Sequence, residues 1–234
     1  MLKLIVFDWD DCIVQGSSEA YYATYAAAIK EHGIEVDLDT VEKQVRALWG
    51  RPHRLVIESI IGIGHTKLTD VVHSYERLVS SDFFFQHLSL ITGAKEALLM
   101  LKDDYKLAIA TGMNAVSLKE RLIPHFDMEG IFSSIISSSE LLDPGRGKPY
   151  PDMLLKLLKD FNVSSSEALM VGDASTDVLM AQAAEVRPIV VLTGQLTKEE
   201  AEQLGVRDVI SSVASLPLLV KGIRLNLKVI GSNT

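Results

Sequence analysis

Three aspartates stand within four positions, Asp8, Asp10 and Asp11, directly after the apolar run Leu2 to Phe7. Strands disfavour Asp, and clustered carboxylates repel one another, so negative charge here needs a reason. Asp8 and Asp10 are two apart and leave on the same side if the strand runs that far. A second apolar run ends in "VGDASTD", where Gly172 permits close backbone approach and Asp177 follows Asp173 by about one helical turn. A third run ends in "ATG", offering the Thr111 hydroxyl and the Gly112 amide. Lys148 lies in "RGKPYPD", between a glycine and a proline. Each feature has an ordinary reading: a solvated turn after the first run, a helix cap at Asp173, Ser175 or Asn114, a surface lysine at 148. Taken in order, Asp8, Asp10, Thr111, Lys148, Asp173 and Asp177 form a set of four carboxylates, one ammonium and one hydroxyl. A hard divalent cation such as Mg²⁺ would let those carboxylates share a site, and the lysine and hydroxyl would then serve an anionic substrate.

The set makes sense only if one element type places every member at the same edge. The apolar runs are short and continuous, as in strands buried on both faces: 2–8, 105–111, 131–137, 168–172, 187–193 and 208–210. Helical patterns alternate with them. Residues 92–104 put Ala94, Ala97, Leu98 and Leu101 on one face with Thr92 as cap, 151–161 begin at Pro151, and 175–184 follow the run 168–172. Such alternation predicts an α/β fold, a parallel sheet with helices on its faces, and ligands bound outside the carboxyl ends of the strands. The alternation fails between about 17 and 86, where four helical patterns occur without a strand. Ser17 or Ser18 is expected to cap the first, Asp39 and Glu42 are spaced as a capping box for the second, and Gly50 is expected to stop it. The reading is a discontinuous core of 1–16 and 88–234 carrying a helical domain, 17–87, on two linkers.

The totals narrow the class. The chain has 234 residues, 47% apolar and 23% charged, a globular composition. A net charge of −8 argues against a nucleic-acid or acidic-membrane binder, which would present a basic face. One cysteine, Cys12, allows no intrachain disulfide. The opening apolar run is too short for a signal peptide, and no stretch could span a bilayer, so a cytoplasmic protein is expected. The closing "GSNT" is expected to fray. Oligomeric state is not legible.

From "FDWDDCIV" through "IATG" and "RGKPYPD" to "VGDASTD", the chain resembles the haloacid dehalogenase superfamily, specifically its phosphoglycolate phosphatase-like members. The resemblance implies a Rossmann-like parallel-sheet core with an inserted helical cap domain. It extends to the closing segment "LTKEEAEQLGVRDVISSVASLP". Four positions depart from the family pattern: Cys12 stands where Thr is usual, Gln15 where Asp is frequent, Gly112 where a polar residue is frequent, and Glu185 where Gly would end the helix. Cys12 is a weaker hydrogen bonder, which bears on how Asp10 is supported, and the helix before Glu185 is expected to end differently.

By this resemblance Asp8 is the nucleophile, forming an aspartyl-phosphate, and Asp10 is the acid and base. Mg²⁺ would be held by the Asp8 carboxylate, the Asp10 backbone carbonyl and Asp173, with Asp177 as a further ligand or a residue just behind the ligands. Thr111, the Gly112 amide and Lys148 would hold the phosphoryl oxygens. The helical insert would exclude water and read the leaving group, with Arg51, and after it His53 and Arg54, as its candidate residues. The expected partner is a small-molecule phosphate ester. A phosphomutase keeps the same core residues and stays open as an alternative. A haloacid dehalogenase does not normally need the second aspartate, and a retired enzyme used for binding would have little reason to keep Asp8, Asp10, Lys148 and Asp173.

Overall fold

The structure, a computed structural model, describes residues 1–49 and 51–231. The helix stop expected at Gly50 and the tail residues 232–234 lie outside the described residues. The chain divides into two compact units, Met1–Gln15 with Leu90–Thr234, and Gly16–Ser89.

The first unit is built on six strands: β1 (Leu4–Phe7), β2 (Lys106–Thr111), β3 (Ser134–Ser137), β4 (Ala168–Gly172), β5 (Arg187–Val191) and β6 (Asp208–Ile210). They lie in the order β3–β2–β1–β4–β5–β6, and every neighbouring pair is parallel. The strand order reverses between β1 and β4, the point where open α/β sheets bind ligands. All four side chains of β1 are fully buried, which is why the strand reads as an unbroken apolar run. Burial of each such side chain contributes about 1.5–3 kcal/mol. One face of the sheet packs Leu4, Val6, Ala108, Ala110 and Met170 against Met153, Leu154 and Leu157 of one helix and Met180 and Ala181 of another. Phe7 pairs in register with Ile109 of β2 and with Val171 of β4. Asp8 therefore leaves the sheet level with Gly172, one residue before Asp173, and one step from the level of Thr111.

The second unit holds four helices, α1 (Ser17–Lys30), α2 (Leu38–Ala47), α3 (His53–Ile61) and α4 (Leu68–Val79), followed by a single turn, Asp82–Phe85. Its own core gathers Ala28, Ile29, Val41, Ile57 and Val71. Tyr25 stacks on Tyr75 at 4.3 Å, and His53 stacks on the same Tyr75 at 5.2 Å. Trp49 meets Tyr21 edge-on, and Phe84 is fully buried.

The helices of the first unit include α5 (Ala94–Lys102), α6 (Asp152–Phe161), α7 (Ser175–Ala183), α8 (Lys198–Gln203) and α9 (Leu216–Gly231), with a further helical stretch over 115–125. No helix among the described residues is long and apolar enough to cross a membrane.

Several local expectations are corrected. Helix α1 enters from Gly16 and α5 from Gly93, both left-handed, so neither Ser17, Ser18 nor Thr92 caps them. The cap of α2 is Asp37, whose carboxylate accepts from the Thr40 amide at 2.8 Å; the Asp39/Glu42 box is not formed. The third strand begins at Ser134 rather than Ile131. The first ends at Phe7, so alternation along a strand does not relate Asp8 to Asp10; a turn closed on the Trp9 carbonyl does, with the amides of Cys12, Ile13 and Val14 donating to it. Helix α7 ends as a glycine would end it. Glu185 adopts φ +57°, and the Val186 amide donates to Ala181 O at 2.8 Å.

Candidate active site

The site is assembled from three strand ends and one loop. Asp8 follows β1, and its amide donates to Val171 O at 2.8 Å, which holds the chain beside β4 past the end of the strand. The same carbonyl accepts the Cys12 thiol, Sγ to O 3.6 Å. Cys12 thus ties the turn carrying Asp10 and Asp11 to β4. Its thiol is pushed well up by burial, and further by Asp8, Asp173 and Asp177, so it stays protonated and donates.

After β4 the chain passes Asp173 and enters α7. Neither Asp173 nor Ser175 caps that helix. The N-cap is Ala174, whose amide donates to Asp177 Oδ2 at 3.2 Å, so Asp177 closes the first turn itself. Gly172 makes this possible: a Cβ there would overlap the Asp177 carboxylate, with Asp177 Cβ at 2.6 Å. Asp8, Asp173 and Asp177 each offer an oxygen within 4.8 Å of the others. They are 8%, 2% and 2% exposed.

Lys148 is the counter-charge. Its Nζ lies 2.7 Å from Asp8 Oδ1 and 2.6 Å from Asp177 Oδ1. Burial opposes its ammonium, but Asp177 and Asp8 outweigh that and hold its pKa above the usual lysine range. It is no surface lysine.

Three carboxylates against one ammonium leave negative charge uncompensated. Asp173 is raised well above the usual carboxylate range by burial and by the charges of Asp177 and Asp8. Asp177 is pushed up to about 6 by burial, with Lys148 pulling the other way and Asp8 adding to the rise. A dication satisfies this arrangement, and an all-oxygen donor set selects a hard one of the Mg²⁺ or Ca²⁺ kind.

Thr111 is fully buried at the end of β2, and its Oγ1 accepts the Met113 amide at 3.0 Å. That bond uses a lone pair and leaves the hydroxyl proton to donate. Gly112 follows, exposed, with open space where a side chain would stand. Asn114 caps the next helical segment through the Ser117 amide at 3.0 Å, as its ordinary reading expected. Asp10 sits in the turn after β1, partly exposed. Arg51 lies in the other unit, exposed, with its amide bonded to Leu48 O at 2.9 Å.

Sequence reasoning missed the loop after β5. Its Gln195 amide donates to Asp173 Oδ2 at 3.0 Å, and its Leu196 amide to Asp173 O at 2.9 Å. The only signal was a glycine shortly after an apolar run, which any turn would give.

A model of haloacid dehalogenase-like hydrolases matches residues 2–185. A glyceraldehyde 3-phosphate phosphatase of Pyrococcus abyssi is 30% identical over 184 residues, 74% of each chain. A phosphoglycolate phosphatase of Colwellia psychrerythraea is 29% identical over 215 residues, 87% of this chain and 90% of that one. Among solved structures, a HAD-superfamily hydrolase (subfamily IA, variant 1) from Geobacter sulfurreducens superposes with a TM-score of 0.69 at 24% identity, over 93% of this chain and 96% of that one.

Proposed function

The chain belongs to the haloacid dehalogenase-like hydrolases and is a phosphoric monoester hydrolase; from that premise we propose that it is Mg²⁺-dependent, works through a phosphorylated Asp8, and acts on a small ester of the phosphoglycolate or sugar-phosphate kind. One observation carries the reading: Asp8, Asp173 and Asp177 converge within 4.8 Å at the reversal of the sheet, with Lys148 bridging two of them.

In this reading an Asp8 oxygen attacks phosphorus and the bond from phosphorus to the leaving oxygen breaks. Asp10 delivers a proton to that oxygen. It then takes one from the water that attacks the Asp8 phosphate, releasing inorganic phosphate and restoring the carboxylate. Lys148 faces the problem that a carboxylate must approach a phosphate of like charge. At roughly 4 Å and an effective dielectric near 20, one unit charge offsets another by about 4 kcal/mol. Its raised pKa keeps it charged for this task. The Thr111 hydroxyl and the Gly112 amide orient the phosphoryl oxygens, since positioning and charge stabilisation are most of what phosphoryl transfer requires. The Asp8, Asp173 and Asp177 carboxylates and the Asp10 carbonyl would hold the Mg²⁺, Asp177 directly or through a water. When bound, the ion supplies positive charge to the phosphoryl oxygens. With a single, buried cysteine, the cytoplasm is the compartment this reading expects.

The test is phosphate release from a metabolite panel and a generic aryl phosphate, compared by kcat/KM. Turnover is expected with Mg²⁺, to be lost with a chelator and in Asp8→Asn. Substantial turnover by folded Asp8→Asn would remove the nucleophile. Interconversion of sugar monophosphates that needed an added sugar bisphosphate and released no phosphate would instead mark a mutase.

A further inference from the structure

The loop after β5, Thr193-Gly194-Gln195-Leu196, touches both acid-bearing segments of the site. Thr193 Oγ1 donates to Asp11 O at 2.6 Å, in the turn that carries Asp10. The Gln195 amide takes one oxygen of the Asp173 carboxylate and the Leu196 amide takes the Asp173 carbonyl, at 3.0 and 2.9 Å. Just before the loop, the Leu192 amide is fixed to Ile210 O of β6 at 3.0 Å, so it is anchored in the sheet. Between these contacts sits Gly194. A Cβ there would run into the Asp173 side chain, overlapping the carboxylate and coming to 2.7 Å from its Cβ. Gly194 has no positive φ, so its backbone conformation does not require glycine; the space taken by Asp173 does.

We propose that Thr193-Gly194-Gln195-Leu196 is a positioning strap: it fixes the plane of the Asp173 carboxylate and locks it to the Asp10–Asp11 turn, so that the oxygen donors meet a divalent cation already arranged. The proposal rests on Asp173 being a cation ligand. Such a strap acts on metal affinity before it acts on chemistry, because a carboxylate free to rotate must be ordered at each binding event. Gly194→Ala displaces the carboxylate by volume. Thr193→Val cuts the link to Asp11 O at nearly constant volume, and Thr193→Ser restores it.

The test is isothermal titration of the whole protein with Mg²⁺ alone, each variant first shown to fold by circular dichroism. Wild type is expected to bind and Asp173→Asn to lose binding. Gly194→Ala should bind about 10- to 100-fold more weakly, Thr193→Val about 10-fold more weakly, and Thr193→Ser like wild type. The Mg²⁺ concentration giving half-maximal turnover should rise in the same order. If Gly194→Ala and Thr193→Val bind as tightly as wild type while Asp173→Asn does not bind, the strap is wrong and the ligand assignment stands. If Asp173→Asn binds like wild type, the ligand assignment fails and the strap with it. Should Gly194→Ala not fold, Thr193→Val against Thr193→Ser decides alone.

Discussion

Lys148 is the residue on which the electrostatics of the site turn. Its ammonium lies within 2.7 Å of both Asp8 and Asp177 and carries positive charge to each. Removing it leaves an acidic group that repels phosphate and takes up protons instead. Lys148→Ala should therefore lose about 10²-fold or more in kcat/KM on an aryl phosphate at saturating Mg²⁺, the scale of deleting one donor to a developing charge. A rate within twofold of wild type would place Lys148 outside the catalytic machinery. Cys12 illustrates the other kind of residue at this scale. Its thiol donates to Val171 O, the carbonyl that also takes the Asp8 amide, so the departure from Thr preserves a donor at that position. The residues that could do chemistry were legible because their types are out of place: aspartates ending apolar runs, a lysine between glycine and proline. Gly194 was not legible, because the volume it leaves empty is filled by a side chain 21 positions away in sequence, and nothing local marks that.

At the scale of elements, the buried strands announced themselves as continuous apolar runs, while their ends and the helix caps did not. Gly16 shows why. A side chain there would strike the His87 carbonyl, a contact between the two chain ends of the second unit and invisible to any capping rule. Ser17 and Ser18 matched the local pattern and lost to it. Helix α7 shows the converse. Glu185 takes a left-handed conformation at φ +57° although the residue is not suited to it. Glu185→Gly is expected to raise stability by about 0.5–1 kcal/mol, read from the urea midpoint; a lower midpoint would mean that the exposed glutamate side chain has a role of its own. A further pin joins the starts of two strands. The Lys3 amide donates to Glu167 O, and Lys3 Nζ lies 2.7 Å from Glu167 Oε1. The Lys3 ammonium, with the Ser164 amide, pulls the Glu167 carboxyl down to about 2 from its ordinary 4.5. A depressed carboxyl contributes stability above its unfolded pKa, and that stability fades as pH falls from 4.5 toward about 2. The difference in melting midpoint between wild type and Glu167→Gln should accordingly shrink to nothing over that window. Because Lys3 is exposed and Glu167 only partly buried, the difference is small at neutral pH, and one that grew on acidification would contradict the assignment.

For the whole molecule, parallel topology converts sequence order into a site. The register of β1 against β2 and β4 brings Asp8, Thr111 and Asp173 to one edge although they are far apart in the chain. That much could be argued from alternating apolar runs and helices, since such alternation has few topological solutions. What the alternation could not show is which loops lend hydrogen bonds to the acids, because those bonds come from backbone amides that carry no residue signature. The most direct measurement is the mass of the peptide containing residue 8, taken after acid quench of Asp10→Asn incubated with Mg²⁺ and an aryl phosphate. An aryl leaving group needs little protonation, so loss of Asp10 should stall the second step and leave a phosphoryl group on Asp8. An unmodified Asp8, under conditions where wild type turns over, or a phosphoryl group on a different residue, would contradict the account.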